Sequence, residues 1–134
     1  MLFNILAVAA GGAIGAVARY GVALATPLLF PAGHALAGFP VATLLVNILG
    51  CFIIGFASHF FIQNDFPSHD TWKLFCVTGV LGGFTTFSTF SLESIDLLQS
   101  GATGLGILYI AASLICCLIG VVAGRFVAQL IWKS

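Results

Sequence analysis

The chain has 134 residues, of which 60% are hydrophobic and only 6% charged, and its formal net charge is zero. A soluble domain carries about 25% charged residues and could not hide this much apolar surface, so a soluble fold is excluded. Nucleic-acid binding is excluded with it, because four cations (Arg19, Lys73, Arg125, Lys133) against four carboxylates (Asp65, Asp70, Glu93, Asp96) form no basic patch.

A helix needs about 20 apolar residues to cross a bilayer. Four stretches qualify, predicting one all-α domain of four transmembrane helices over residues 1–134. The first runs from about Leu2 to Leu29 and is interrupted by Arg19. Ala7-Val8-Ala9 resembles a cleavage site, but no basic segment precedes it and the apolar run continues past it, so it reads as a span and not as a leader. Arg19 is expensive at membrane depth unless it snorkels or pairs, which points to a role in the fold. Gly11 and Gly15 form a small-xxx-small pair suited to close helix packing.

The connection from Phe30 to Pro40 carries Pro and Gly breakers, and a second span follows from about Val41 to Ile62. Asn47 lies within it. A carboxamide in hydrocarbon is costly unless hydrogen-bonded, so Asn47 either bonds another helix or lines a polar path, with Thr43 one turn earlier on the same face.

Gln63 to Thr71 is the most polar connection, and the third span runs from about Trp72 to Leu98. Its middle reads Gly79-Val-Leu-Gly82-Gly83-Phe84-Thr85-Thr86-Phe87-Ser88-Thr89-Phe90-Ser91. Irregular backbone and polar groups at membrane depth survive only where protein or a water-filled path surrounds them. The glycines permit a break in the helix, and a break frees carbonyls that a cation can take as ligands. Phe84, Phe87 and Phe90 form one row, Thr86, Thr89 and Glu93 a second, Thr85 and Ser88 a third. Positive ring edges and hydroxyl hydrogens can replace part of an anion's hydration without a fixed charge, and a full charge would hold the anion too tightly for rapid passage.

A tight turn at Gln99 to Thr103 leads to the fourth span, about Gly104 to Ile131, where Tyr109, Ser113 and Cys117 lie one turn apart on one face. Gly120 and Gly124 repeat the small-xxx-small pattern. Cys51, Cys76, Cys116 and Cys117 all sit in apolar runs without C-x-x-C spacing and read as small buried residues. His34, His59 and His69 are scattered and lack metal-ligand spacing. No room remains for a soluble domain, so the chain is not expected to be an enzyme.

Four spans put both termini on one side. That side and the second loop hold Lys73, Arg125 and Lys133, which leans towards cytoplasmic termini. The bias rests on so few charges that orientation is weakly specified, and a chain that inserts both ways can pair with its own inverted copy.

Three motifs resemble those of the CrcB/Fluc family of fluoride ion channels: Gly11-Gly-Ala-Ile-Gly15-Ala-Val-Ala-Arg19-Tyr20, Thr43-Leu-Leu-Val-Asn47-Ile-Leu-Gly50, and the glycine-hydroxyl stretch of the third span. The resemblance covers essentially the whole chain. It implies an antiparallel, dual-topology homodimer in the cytoplasmic (inner) membrane of a microbe, with two narrow pores for passive fluoride export. It implies a third helix broken mid-membrane, with a structural sodium ion held at the dimer centre by the carbonyls of Gly82 and Thr85 from both subunits. It implies a fluoride path along Asn47, Thr86, Phe87, Ser88, Phe90, Tyr109 and Ser113, and a structural role for Arg19. Cys117 stands where the family pattern would have a serine, and a thiol donates more weakly than a hydroxyl.

Two other readings fit the size and hydropathy. A small four-helix proton-coupled exporter normally needs an intramembrane carboxylate, and none lies at the centre of a span. A non-transporting subunit of a larger complex would leave the alternation of hydroxyls and phenylalanines without a purpose.

Overall fold

The computed structural model describes residues 1–30, 38–63 and 68–132. Most of the two connections expected at 30–40 and 63–71 lies outside them, with His34, Asp65 and Lys133. Among the described residues every regular element is helical: α1 (Leu2–Leu29), α2 (Val41–Gln63), α3 (His69–Lys73) leading into a π-helical segment (Leu74–Leu81), then α4 (Gly82–Phe84), α5 (Phe87–Gln99) and α6 (Thr103–Ile131). Four stretches are long and apolar enough to cross a membrane: Leu2–Leu29, Val41–Ile62, His69–Gln99 and Thr103–Ile131. They match the four spans expected from the sequence.

The exposed surface identifies the solvent. Val17 is 71% exposed on α1, and Leu118 and Val122 are 69% and 68% exposed on α6. In water such continuous apolar surface would aggregate; in a bilayer it faces acyl chains. The chain is a multi-pass membrane protein.

Without a hydrophobic force between helices in lipid, association rests on close packing. The helices pair as α1 with the π-helical segment and α4, and as α2 with α6. Glycines make both pairings. A Cβ at Gly11 would collide with the Phe75 carbonyl and one at Gly15 with the Val80 carbonyl, while one at Gly83 would strike the Gly12 carbonyl. Across the second pair a Cβ at Gly55 would strike the Val121 carbonyl, and one at Gly124 the Phe52 carbonyl. The two small-xxx-small pairs are therefore packing surfaces, as expected. The α5–α6 turn is closed by Gly101 at φ 85°, a left-handed conformation that costs glycine nothing.

The third span departs from the sequence reading in one respect. Its glycines do not open the helix: Gly82 is helical, at φ −63° and ψ −35°. The extended residues are the next two that are not helical, Thr85 (φ −81°, ψ 158°) and Thr86 (φ −152°, ψ 119°). Gly79 and Gly83 are occupied with packing against α1, and the backbone turns out of the helix where threonines can bond it.

Candidate functional site

Thr85 and Thr86 sit between two concave surfaces, and their hydrogen bonds explain why the backbone is stable there. Thr85 stays tied to the helix before it, since its N–H and its hydroxyl both donate to the Leu81 carbonyl (3.0 and 2.9 Å). Thr86 starts the helix after it. Its Oγ1 accepts from the Thr89 N–H at 3.2 Å and so caps α5. In an unbroken helix the Thr86 N–H would donate to the Gly82 carbonyl. It donates instead to Asn47 Oδ1 (2.8 Å), and Asn47 Nδ2 donates to the Thr86 carbonyl (3.0 Å). One carboxamide thus satisfies both backbone groups of an extended residue, while the Gly82 carbonyl loses its helical donor.

On one side lies a cavity of about 320 Å³, walled by Asn47, Gly50 and Cys51 from α2, by Leu81, Gly82, Thr85, Thr86, Phe87 and Phe90 from the third span, and by Ser113 and Cys117 from α6. The Ser113 hydroxyl is buried and has no hydrogen-bond partner. A buried polar group without a partner costs free energy, and this one is on the cavity wall. Phe87 is 75% exposed, whereas Phe90 is buried against it with centroids 5.5 Å apart. Gly82 is exposed too, and a Cβ there would meet nothing closer than the Val77 carbonyl at 3.9 Å. Unlike Gly11 or Gly15, Gly82 is not a packing glycine.

On the other side a cavity of about 360 Å³ is lined by Arg19 and Tyr20 of α1, Thr43 of α2, and Thr86, Thr89 and Glu93 of the third span. Thr86, Thr89 and Glu93 all line this cavity, as their spacing predicts, and Thr86 lines the first as well. Thr86 Oγ1 donates to Thr89 Oγ1 (3.0 Å), and Arg19 Nη1 donates a long hydrogen bond to the Thr85 carbonyl (3.4 Å).

The expected residues are only partly brought together. Asn47, Gly82, Thr85, Thr86, Phe87, Phe90 and Ser113 share the first cavity. Tyr109 stands behind its wall, fully buried, with Phe90 at 5.4 Å and Phe39 edge-on at 5.5 Å. Ser88 lines neither cavity; it is exposed and lies 3.2 Å from Thr86 Oγ1. Arg19 belongs to the second cavity.

Glu93 is the residue that sequence reasoning undervalues. Its position suggests a helix end near an interface. In the fold it joins the two sides of the site: the Thr43 hydroxyl donates to Oε1 (2.8 Å) and the Tyr109 hydroxyl to Oε2 (2.7 Å). Thr43 is buried, so the carboxylate is reached through two sequestered hydroxyls. The signal was present in two helical spacings, Thr86–Thr89–Glu93 and Thr43–Asn47, which place both groups on facing surfaces.

Residues 6–125 match the family model described as "CrcB-like protein, Camphor Resistance (CrcB)". The chain belongs to the CrcB family. Among its CrcB relatives, a protein of Ruminiclostridium cellulolyticum named "Fluoride-specific ion channel FluC" is 42% identical over 130 residues, 97% of this chain and 95% of that one. Proteins of the same name from Rhizobium meliloti and from Helicobacter pylori (strain P12) are 47% identical over 121 residues and 42% identical over 129. These alignments cover 90% and 96% of this CrcB chain, and 92% and 95% of the relatives.

Proposed function

We propose that this CrcB protein is a fluoride-specific ion channel that lets fluoride leave the cytoplasm passively across the inner membrane. One observation carries the reading at the level of chemistry: the buried, unpartnered Ser113 hydroxyl on the wall of a cavity that also holds Asn47, Phe87 and Phe90. The relatives, named as fluoride-specific channels, supply the identity of the anion.

A small, strongly hydrated anion needs donors to replace its water. Ser113 Oγ–H is free to donate, Asn47 keeps one Nδ2 hydrogen beyond the bond to Thr86, and the ring edges of Phe87 and Phe90 carry partial positive charge. Among the described residues no fixed cation lines this cavity, so an ion that enters is not trapped. The protein performs no covalent chemistry and is not an enzyme.

The protomer is half of the working unit in this reading. The third span is broken at mid-membrane at Thr85 and Thr86, and the unit is an antiparallel dual-topology homodimer. Support comes from Phe87, an exposed ring among hydroxyls, and from Gly82, an exposed glycine whose carbonyl lacks its helical donor. Polar backbone facing lipid is unfavourable; facing a second copy it becomes useful. The carbonyls of Gly82 and Thr85 suit a structural sodium ion, because hard cations take oxygen ligands and a twofold axis doubles two carbonyls into four. The Thr85 carbonyl keeps a lone pair beyond its bond from Arg19. Such an ion would supply positive charge near the anion path and tie two protomers together.

The test is fluoride efflux from liposomes holding the purified protein, read with a fluoride electrode against a chloride control. Rapid fluoride release with little chloride release is expected. Folded protein that releases no fluoride overturns the reading in favour of a non-transporting subunit, and release that requires a proton gradient favours an exporter. Reporters fused to the C-terminus are expected on both membrane faces, and signal on one face alone excludes dual topology.

A further inference from the structure

Two thiols share the first cavity with the proposed fluoride path. Cys51 of α2 and Cys117 of α6 both line it. Their helices are a tightly packed pair. Gly120, three residues after Cys117 on the same face of α6, approaches so closely that a Cβ there would lie 3.5 Å from Cys51 Cβ. Both thiols are free and part-exposed. Cys76 and Cys116 are free as well but line neither of the two cavities.

Two sulfurs and no third ligand define a narrow class of guest. Among the described residues no group of three or more His, Cys, Asp or Glu side chains is placed to hold a metal, so the tetrahedral set that zinc prefers is missing. Thiolates select soft metals, and Hg²⁺, Ag⁺ and Cu⁺ are satisfied by two sulfurs in a line. Its other polar groups, on Asn47, Thr85, Thr86 and Ser113, are neutral oxygen and nitrogen atoms, poor ligands for a soft cation beside two sulfurs.

We infer that Cys51 and Cys117 form a two-thiol site for a soft, two-coordinate d¹⁰ cation, and that a cation bound there plugs the cavity that fluoride crosses. In the binding step each thiol loses its proton to water, two S–metal bonds form, and the metal's two labile ligands leave as chloride or water. No electron changes hands. Proton release makes binding stronger as pH rises. The binding half stands on the geometry alone; the plug half rests on the channel reading.

The experiment uses full-length protein carrying Cys76→Ser and Cys116→Ser, which removes the two thiols outside the cavity. Mercuric chloride is added, excess is removed by gel filtration in the presence of a competing monothiol, and retained mercury is measured by atomic absorption. About one Hg²⁺ per protomer is expected, with the ultraviolet charge-transfer band of a dithiolate. Adding Cys51→Ser or Cys117→Ser is expected to abolish retention, and Cys51→Ala serves as a second variant should the serine disturb folding. Retention unchanged by these substitutions overturns the site. Fluoride efflux is then measured on the same samples. A fall of about tenfold or more on mercury addition, absent in the Cys117→Ser protein, is the expected plug. Stoichiometric retention with undiminished efflux overturns the plug, while absence of efflux before mercury is added counts against the channel reading and leaves retention to decide the site.

Discussion

Asn47 and Thr86 are joined by two hydrogen bonds, one from the Thr86 N–H to the carboxamide oxygen (2.8 Å) and one from the carboxamide nitrogen to the Thr86 carbonyl (3.0 Å). The side chain stands in for the helical neighbours that Thr86 has given up. Replacing it by alanine strands two backbone groups away from water, at about 1–3 kcal/mol each. Asn47→Ala is therefore expected to lower the thermal midpoint of the detergent-solubilised protein and to abolish fluoride efflux. Asn47→Asp, which keeps the acceptor and loses the donor, is expected to fall between. An alanine variant as stable as the parent would show that the extended pair does not depend on this clamp.

The same pair shows how far the sequence could be read. Four spans were legible because apolar runs of about 20 residues have one solution in a bilayer. Asn47 was legible as a costly polar group, but its partner was not: it is 39 residues away in sequence and is backbone. The glycines gave a misleading signal. Gly79 and Gly83 are small because α1 lies against them, and of these three glycines only Gly82 is open, a difference that depends on which neighbour each meets. Glu93 was obscured for a similar reason, since its donors Thr43 and Tyr109 come from two other spans.

Those donors suggest a coupled pair. Thr43→Val and Tyr109→Phe each remove one hydrogen bond to Glu93, leaving the other. Together they leave the carboxylate with neither. The double variant is expected to lose more stability than the sum of the singles, by about 0.5–3 kcal/mol, because both act on one group. Thermal melts of the four proteins in the cycle measure this, and simple additivity would mean that Glu93 finds another partner.

Glycine substitutions separate packing from function. Gly15→Ala places a methyl group against the Val80 carbonyl, and backbone cannot move aside cheaply. It is expected to destabilise α1 against the third span by about 1–3 kcal/mol, the usual scale of overpacking, and to reduce the yield of folded protein. Gly82→Ala meets open space and is expected to leave the protomer fold intact. If the Gly82 carbonyl holds a cation between two copies, the added methyl group weakens the dimer instead. Subunit exchange between differently labelled proteins distinguishes the two effects, and a Gly82→Ala dimer as tight as the parent would argue against a cation at this position.

Phe87, Phe90 and Ser113 meet the same cavity but are held differently, and this allows flux to be separated from folding. Phe87 is 75% exposed in the protomer, so Phe87→Ile removes little buried contact. Phe90 is 8% exposed and packs on both Phe87 and Tyr109, so Phe90→Ile is expected to cost about 1–3 kcal/mol of stability. Both are expected to cut fluoride efflux sharply, since isoleucine has no positive ring edge to offer an anion. Ser113→Ala removes a hydroxyl that bonds nothing among the described residues. It is expected to leave stability unchanged or raise it, because a buried, unpaired polar group disappears. Its efflux is expected to fall by about tenfold, the worth of one hydrogen bond of about 1.4 kcal/mol to the passing ion. A Ser113→Ala protein with parental efflux would remove the hydroxyl from the path, and one that melted earlier would mean that its partner lies within the fold.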